Sequence, residues 1–306
     1  MRNRKAFIIG ISTTNLKKNE ISFLKKYKPW GVILFSKNIQ NVGQTKKLTS
    51  SIRSCFNDKK YPILIDEEGG KVNRLKKIID TSVFSSKYFG DLYLKSKKDF
   101  LNQYKIYINN VSRILNDIGV NINTVPVLDV IRSKTNKIIK DRSFSKDVKI
   151  VSKLGDFCID FYSMNKIGTI IKHIPGHGLA TRDSHFKTPI VGEKKNFLNN
   201  IDFLAFKKKN VLFAMTAHVI YSHYDKKNTA THSKIIIEDV IRKKIKFKNI
   251  IISDDISMKA LKHDLKENVK KSLDAGCNII LHCNGKINEM KTIAEIVPKI
   301  DDFILK

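Results

Sequence analysis

Ionisable side chains are concentrated between Lys172 and His185, where the sequence reads Lys-His-Ile-Pro-Gly-His-Gly-Leu-Ala-Thr-Arg-Asp-Ser-His. This segment follows the apolar run 167–171 and contains three of the chain's eight histidines. A Lys-His pair after a strand, a tight turn and an Asp-x-His pair are typical of an active-site loop, since α/β proteins carry their chemistry in such loops. Asp183 can hydrogen-bond His185, which fixes the imidazole tautomer and favours its protonated form.

Acid–base chemistry requires one ionised group that acts as a nucleophile or base and another group that delivers a proton. Asp254 and the pair formed by Asp183 and His185 suit this division. The remaining candidates are the carboxylates Asp66, Asp129 and Asp255 and the imidazoles His173, His177 and His218. A zinc site is not favoured, because proline and glycine break any helix between the histidines of the loop and no cysteine accompanies them. We therefore expect no metal and no cofactor.

Eight short apolar runs, each typical of a strand covered on both faces, alternate with helix-like segments. The predicted strands are Ala6–Ile11, Gly31–Phe35, Pro62–Ile65, Val120–Asn123, Thr169–Ile171, Val211–Met215, Asn249–Ile252 and Asn278–Leu281. The predicted helices are Phe100–Ile118, Lys149–Asn165, Lys195–Lys209, Ile235–Lys246 and Asp264–Ala275. This alternation predicts an α/β fold, a single (β/α)8 TIM-type barrel. A doubly wound open sheet is the structural alternative.

Polar groups follow five of these predicted strands at their C-terminal ends. They are Asp66, Lys172-His173, Thr216 with His218, Ser253-Asp254-Asp255, and His282. Any one aspartate in such a position could simply cap the next helix. A barrel gathers all these strand ends in one ring, so their coincidence predicts an active site on that face.

The chain carries 58 Lys+Arg against 29 Asp+Glu among its 306 residues, a formal net charge of +29. Such a charge could serve a polyanionic partner, but the lysines are spread along the whole chain and favour a solvated surface. We expect no specific nucleic-acid partner, no membrane span and a monomer. Four scattered cysteines and the lack of a signal-like N-terminus favour the cytoplasm.

Six motifs span roughly residues 65–284. They are Ile65-Asp-Glu-Glu-Gly-Gly-Lys-Val-Asn-Arg74, Val125-Pro-Val-Leu-Asp-Val130, Asp141-Arg-Ser-Phe144, Lys172-His-Ile-Pro-Gly-His-Gly178, Ile251-Ile-Ser-Asp-Asp-Ile-Ser-Met258 and Ala275-Gly-Cys-Asn-Ile-Ile-Leu-His-Cys-Asn284. In sequence and order they resemble the motifs of family 3 glycoside hydrolases, and within them the bacterial β-N-acetylhexosaminidases of peptidoglycan recycling. We expect residues 1–306 to form one catalytic barrel domain of the N-terminal type of this family.

The resemblance implies a role for each matching residue. Asp254 would be the nucleophile, and His185 would be the acid/base with Asp183 as its partner. Five further residues would bind the terminal N-acetylglucosamine: Asp66, Arg74, Arg142, Lys172 and His173. The implied reaction is a retaining hydrolysis through a covalent glycosyl-enzyme, with muropeptides carrying N-acetylglucosamine β-1,4-linked to anhydro-N-acetylmuramic acid as substrates.

Smaller expectations attach to the same motifs. Glu68 and Asp255 are interpreted as groups that fix their loops, and His177 as a structural residue of its turn. In a chain with 14 glycines, four lie in two motifs, which indicates that the backbone there needs glycine. Lys71 and Ser145 depart from the residues usual in the family.

Two other functions stay open. An Asp–His acid/base tolerates an anionic acceptor better than a carboxylate does, so the enzyme could be a glycoside phosphorylase that uses phosphate. The chain could also be a basic binding protein built on a former enzyme. The presence of Asp183, His185 and Asp254 together argues against the second alternative.

Overall fold

The computed structural model describes residues 3–132, 135, 140–180 and 187–300. In chain order its strands are β1 (Lys5–Gly10), β2 (Pro29–Leu34), β3 (Ile63–Ile65), β4 (Ile122–Asn123), β5 (Gly168–Ile174), β6 (Ile190–Val191), β7 (Phe213–Thr216), β8 (Ile220–Tyr221), β9 (Ile250–Asp255) and β10 (Ile279–His282). All strands except β6 and β8 form one parallel barrel, which closes where β10 pairs with β1. The predicted (β/α)8 barrel is therefore confirmed, and each of the eight predicted runs overlaps one barrel strand.

Helices cover the outside of the barrel. They are α1 (Lys18–Tyr27), α2 (Val42–Ser54), α3 (Ser86–Lys95), α4 (Lys97–Asp117), α5 (Val148–Met164), α6 (Lys195–Asn200), a π-helix (Ile236–Ile245), α7 (Leu265–Ala275) and α8 (Ile287–Ile296). Side chains cap several of their N-termini; Asn41, for example, accepts from the backbone N–H of Gln44 at 2.8 Å. Among the described residues, no helix is both long enough and apolar enough to cross a membrane.

The predicted helix 195–209 is interrupted in the structure. It consists of α6 and a separate 3₁₀ turn, Phe203–Phe206. Phe203 and Phe206 are both buried, and a 3₁₀ turn places residues three apart on the same side. The chain therefore forms a short helix and a 3₁₀ turn, which buries both rings, instead of the single helix that the sequence pattern favours.

The strands have an apolar face inside the barrel and another under the helices. Within the barrel the packed side chains include Ile8, Leu64, Ile170, Ile252 and Leu281. The layer between barrel and helices is larger and contains the alternate strand residues together with the apolar faces of the helices. Apolar side chains pack against both faces of the strands, which explains why the predicted strands are continuous apolar runs.

The alternation of side chains along a strand carries three polar groups into the barrel mouth. Leu64, Ile170 and Ile252 point into the barrel. Because successive side chains alternate, the residue two positions further along each strand lies on the same face. These residues are Asp66, Lys172 and Asp254. The fold therefore brings the carboxylates of Asp66 and Asp254 and the ammonium group of Lys172 from three separate strands to one opening.

Candidate active site

Asp66 lies at the centre of a group of donors in the barrel mouth. Its Oδ2 accepts from Arg74 Nη2 at 3.0 Å, and its Oδ1 accepts from Thr124 Oγ1 at 2.6 Å and from Lys172 Nζ. Burial would raise the pKa of Asp66, but the charges of Lys172 and Arg74 hold this pKa well below its ordinary value. Asp66 is therefore a fixed carboxylate, able to accept hydrogen bonds from a ligand.

Glu68 lies beside this group and binds two cations. Its carboxylate receives Arg142 Nε at 2.7 Å and Arg142 Nη2 at 2.8 Å, and it also pairs with Lys172 Nζ. The expectation that Glu68 fixes its own loop is wrong, because its carboxylate is directed at Arg142 and Lys172 instead. Burial opposes ionisation here as well, yet the two cations lower the pKa of Glu68.

The group that fixes this loop is Glu67, which the sequence reasoning missed. Its carboxylate accepts from the backbone N–H of Gly69, Arg74 and Leu75 at 3.2, 2.6 and 3.0 Å, and from Thr81 Oγ1 at 2.6 Å. Burial raises the pKa of Glu67 to about 7 against the effect of these donors. Glu67 thereby fixes the backbone from which the Arg74 side chain reaches Asp66.

The Lys172 ammonium group lies within reach of three acceptors inside the protein. Its side chain reaches three acceptors, namely Asp66 Oδ1, Glu68 Oε1 and Thr124 Oγ1, and the residue is 2 % exposed. An ammonium group has three N–H donors, so each of them can be matched within the protein. Lys172 thus joins the two carboxylates into one unit, and a ligand that contacts it must take the place of one of these acceptors.

A second carboxylate, Asp129, positions the histidines of the loop. Its Oδ2 lies 2.7 Å from His173 Nδ1, and its Oδ1 accepts from the backbone N–H of His177 at 2.7 Å. Although burial opposes ionisation, the adjacent His173 and the hydrogen bonds lower the pKa of Asp129 to about 2. The carboxylate thus holds the proton of His173 on Nδ1 and leaves Nε2, which lies 3.5 Å from Arg142 Nη2, facing the site.

Asp254 is half-buried at the end of β9. One of its carboxylate oxygens accepts from the backbone N–H of Asp255 at 2.7 Å. Burial would raise the pKa of Asp254, but His218, His173, the hydrogen bond from Asp255 and Lys172 lower it. Asp254 is therefore an ionised, accessible carboxylate next to the group formed by Asp66, Glu68, Lys172, Arg142 and His173.

Asp183 and His185 lie outside the described residues, but the turn before them is well defined. Gly176 O accepts from Tyr221 Oη, and Gly178 O accepts from Thr135 Oγ1 at 2.5 Å. Gly69, Gly70 and Gly176 have positive φ, and a Cβ on Gly178 would lie 2.0 Å from Val130 O. The predicted need for glycine in both motifs is confirmed.

Other candidate groups have structural roles. His218 is buried, with Nδ1 2.7 Å from Thr231 Oγ1 and Nε2 3.0 Å from the Asp255 carbonyl oxygen. His282 does not join the site: its Nε2 lies 2.8 Å from Glu289 Oε2 on α8, outside the barrel. Asp255 fixes its loop as predicted, because its carboxylate accepts from the backbone N–H of Ser257 at 3.1 Å.

The ring of His177 is buried and, among the described residues, neither nitrogen has a hydrogen-bond partner. Burial lowers the pKa of this imidazole to about 4, so it is neutral at physiological pH. Its backbone N–H bond to Asp129 is consistent with the expected structural role in the turn.

The arrangement can bind a polyhydroxylated ligand and attack it. Carboxylate and guanidinium groups lie in one opening at fixed spacing, which suits the paired donors and acceptors of sugar hydroxyls. Asp254 lies beside them as an ionised carboxylate, which is the state that nucleophilic attack requires. Among the described residues, no group of three His, Cys, Asp or Glu side chains is arranged to hold a metal ion.

Comparison with known proteins places the chain in a family. Residues 5–302 match the model of the glycosyl hydrolase family 3 N terminal domain. A β-hexosaminidase from Haemophilus influenzae is 32% identical over 92% of this chain and 80% of its own length. Another from Haemophilus ducreyi is 33% identical over 90% of this chain and 80% of its own length.

Solved structures of related enzymes have the same fold as this chain. Native NagZ from Neisseria gonorrhoeae is 27% identical and superposes with a TM-score of 0.82 over 96% of this chain and 85% of that protein. The β-N-acetylglucosaminidase from Thermotoga maritima is 28% identical, with a TM-score of 0.77 over 95% of this chain and 60% of that protein. The chain therefore belongs to glycoside hydrolase family 3 and is a glycosidase.

Proposed function

We propose that the protein is a retaining β-N-acetylhexosaminidase that removes terminal, non-reducing N-acetylglucosamine from muropeptides. The linkage cleaved would be N-acetylglucosaminyl-β-1,4-anhydro-N-acetylmuramic acid, and the setting would be cytoplasmic peptidoglycan recycling. One observation carries the proposal: the ionised Asp254 lies beside a hydrogen-bonded set of carboxylate, guanidinium and ammonium side chains. The names of the relatives support the N-acetylhexosamine specificity.

In this proposal five residues hold the terminal sugar. Asp66 accepts hydrogen bonds from hydroxyl groups, and Arg74 and Arg142 donate to ring substituents. Lys172 and His173 complete the group from the end of β5. These side chains already bond one another before a ligand arrives, so little conformational entropy is lost when the sugar binds.

The reaction proceeds by two displacements. The carboxylate of Asp254 attacks the anomeric carbon, and the bond to the leaving oxygen breaks as His185 delivers a proton to it. Water then attacks the anomeric carbon as His185 takes a proton from it, and the bond between the sugar and Asp254 breaks. The anomeric configuration is inverted twice and is therefore retained. Asp183 orients His185 and stabilises its protonated form.

A chromogenic pair of substrates tests the proposal. 4-Nitrophenyl N-acetyl-β-glucosaminide should be hydrolysed, and the matching β-glucoside should be hydrolysed far more slowly. The N-acetylglucosamine released should appear first as the β-anomer, which proton NMR detects before mutarotation. Equal rates on the two glycosides, or an α-anomer as first product, would contradict the proposal.

The same assay separates hydrolysis from phosphorolysis. With inorganic phosphate present, a phosphorylase forms sugar 1-phosphate, whereas a hydrolase forms free sugar at an unchanged rate. No contact among the described residues favours the phosphorylase, so we expect free N-acetylglucosamine in both conditions.

A further inference from the structure

Asp66 and Asp254 lie on opposite sides of the barrel mouth. Between β9, which ends in Asp254, and β3, which precedes Asp66, three strands intervene in each direction: β7, β5 and β4 on one side, and β10, β1 and β2 on the other. The two carboxylates therefore divide the ring of strand ends into equal halves, and the two halves present different chemistry.

The ends of β7, β5 and β4 form what we call the polar half. Lys172 Nζ from β5 and Thr124 Oγ1 from the end of β4 both donate to Asp66 Oδ1. Arg142 lies beside them, with its Nη2 3.5 Å from His173 Nε2. These side chains can form hydrogen bonds with the hydroxyl and amide groups of a sugar.

The ends of β10, β1 and β2 form what we call the apolar half. The same alternation that directs Asp66 into the mouth places Cys283 after β10 and Phe35 after β2 on the inner face. Both side chains are partly buried and pack against the apolar side chains inside the barrel. Gly10 is the corresponding residue of β1, which lies between these two strands, and it has no side chain.

The two side chains of the apolar half lie close to the charged groups of the site. The guanidinium carbon of Arg74 is 5.3 Å from the centre of the Phe35 ring. Burial and three neighbouring carboxylates raise the pKa of Cys283 well above its ordinary value, so the thiol is uncharged. Two of these carboxylates are Asp254 and Asp66, the two ends of the site. An uncharged thiol behaves as a small apolar group.

The shape of the sugar decides how it fits between the two halves. Its anomeric carbon C1 must meet Asp254, and C4, at the opposite end of the pyranose ring, then points toward Asp66. The C2–C3 edge of the ring carries the acetamido group and a hydroxyl group, whereas the O5–C5 edge carries only the hydroxymethyl group. Because polar groups need partners when they leave water, the C2–C3 edge fits the polar half and the O5–C5 edge is left for the apolar half.

We propose that Phe35 and Cys283 are specificity-determining residues that contact the hydroxymethyl group on C5 of the bound sugar. The methylene of this group packs on the aromatic ring and the thiol. The inference rests on the proposed N-acetylglucosaminidase function and adds to it how the sugar is oriented and which substituent the apolar half selects. A larger side chain at either position should exclude the hydroxymethyl group.

The test enlarges one side chain and removes the sugar group that meets it. The variant is Cys283→Leu, and the substrates are three 4-nitrophenyl β-glycosides. The first is the N-acetylglucosaminide, the second is the 2-acetamido-2-deoxyxyloside, which lacks the hydroxymethyl group, and the third is the glucoside, which lacks the acetamido group. Each is compared by kcat/KM or, where a glycoside binds without being cleaved, by the inverse of its inhibition constant.

The matched control is Cys55→Leu, the same substitution at another partly exposed cysteine, which lies at the C-terminal end of α2. Circular dichroism and melting temperature show whether each variant is folded. Phe35→Trp enlarges the other side chain of the apolar half and provides the same test if Cys283→Leu does not fold.

We expect Cys283→Leu to lower the value for the N-acetylglucosaminide about tenfold or more and that for the xyloside less than about threefold. Phe35→Trp should show the same pattern, and Cys55→Leu should leave all three values within about twofold. Equal losses on the N-acetylglucosaminide and the xyloside, or a loss that the glucoside alone relieves, would overturn the inference. If the wild-type enzyme does not hydrolyse the N-acetylglucosaminide, the proposed function itself fails.

Discussion

Glu68 and Arg142 form a two-bonded ion pair beneath the barrel mouth, with N–O distances of 2.7 and 2.8 Å. Arg142 belongs to the segment between β4 and α5 and is oriented by a residue of another loop. A paired guanidinium and carboxylate fix each other's plane as well as their separation. Glu68 is thus a positioning residue for Arg142.

The variant Glu68→Gln should therefore bind substrate poorly. It removes the carboxylate that pairs with Arg142 and leaves Lys172 paired with Asp66 alone, which we expect to raise KM about tenfold or more and to reduce kcat less. Steady-state kinetics with the chromogenic glycoside measure the split, and thermal unfolding reports the accompanying loss of stability. Glu68→Asp, which keeps the charge, should recover part of the loss in KM; no recovery would indicate a purely steric role.

The contact between Asp129 and His173 predicts that Asp129→Asn lowers activity by disturbing the tautomer of His173, without a change of fold. In Asp129→Asn the acceptor opposite Nδ1 can be replaced by an amide donor, so His173 is free to change tautomer. We expect kcat/KM to fall about 10²-fold or more, by analogy with other oriented histidines, while the circular dichroism spectrum stays that of the wild type. Activity within about twofold of wild type would show that the tautomer of His173 is unimportant.

The burial of Asp202 predicts that the stability of the folded protein depends on pH. It is buried beneath the Pro175–Gly176 turn, and among the described residues its carboxylate oxygens have no hydrogen-bond partner. Burial raises the pKa of Asp202 to about 7. Between its ordinary pKa near 3.8 and about 7 the folded protein holds a proton that the unfolded chain has lost, so stability decreases as pH rises through this range.

Asp202→Asn removes this titration. Compared with wild type, its melting temperature should increase as pH rises from about 4 to about 7, and the difference should stay constant at higher pH. Glu67 also titrates near pH 7, but it is present in both proteins and cancels in the comparison. Parallel melting curves at all pH values would show that Asp202 is not protonated at neutral pH in the folded protein.

The barrel was predictable because its strands are short apolar runs with polar residues at their ends. Helices α4, α5 and α7 were predictable for the same kind of reason, since their apolar residues recur at helical spacing. Helix α1 was not, because Phe23 and Leu24 are its only buried apolar side chains and lysines surround them. The mini-sheet of β6 and β8 has two residues in each strand, too few for any periodic signal.

The motifs singled out five residues that the structure brings to one opening, but they did not predict the contacts among them: Asp66, Arg74, Arg142, Lys172 and His173. Glu67 and Glu68 are adjacent in a single motif, and only the backbone turn at Gly69 decides which of them faces the loop and which faces the site. Similarly, whether His282 or Cys283 faces the barrel depends on the strand register. Leu281 points inward, so His282 points toward α8.

The central claim is that Asp254 is the nucleophile, and the variant Asp254→Asn tests it most directly. Asp255→Asn is the matched control, because the adjacent carboxylate fixes the loop through Ser257. With 4-nitrophenyl N-acetyl-β-glucosaminide, Asp254→Asn should lose about 10⁴-fold or more in kcat with an unchanged circular dichroism spectrum, whereas Asp255→Asn should keep much more activity. Near-normal turnover by folded Asp254→Asn would contradict the account.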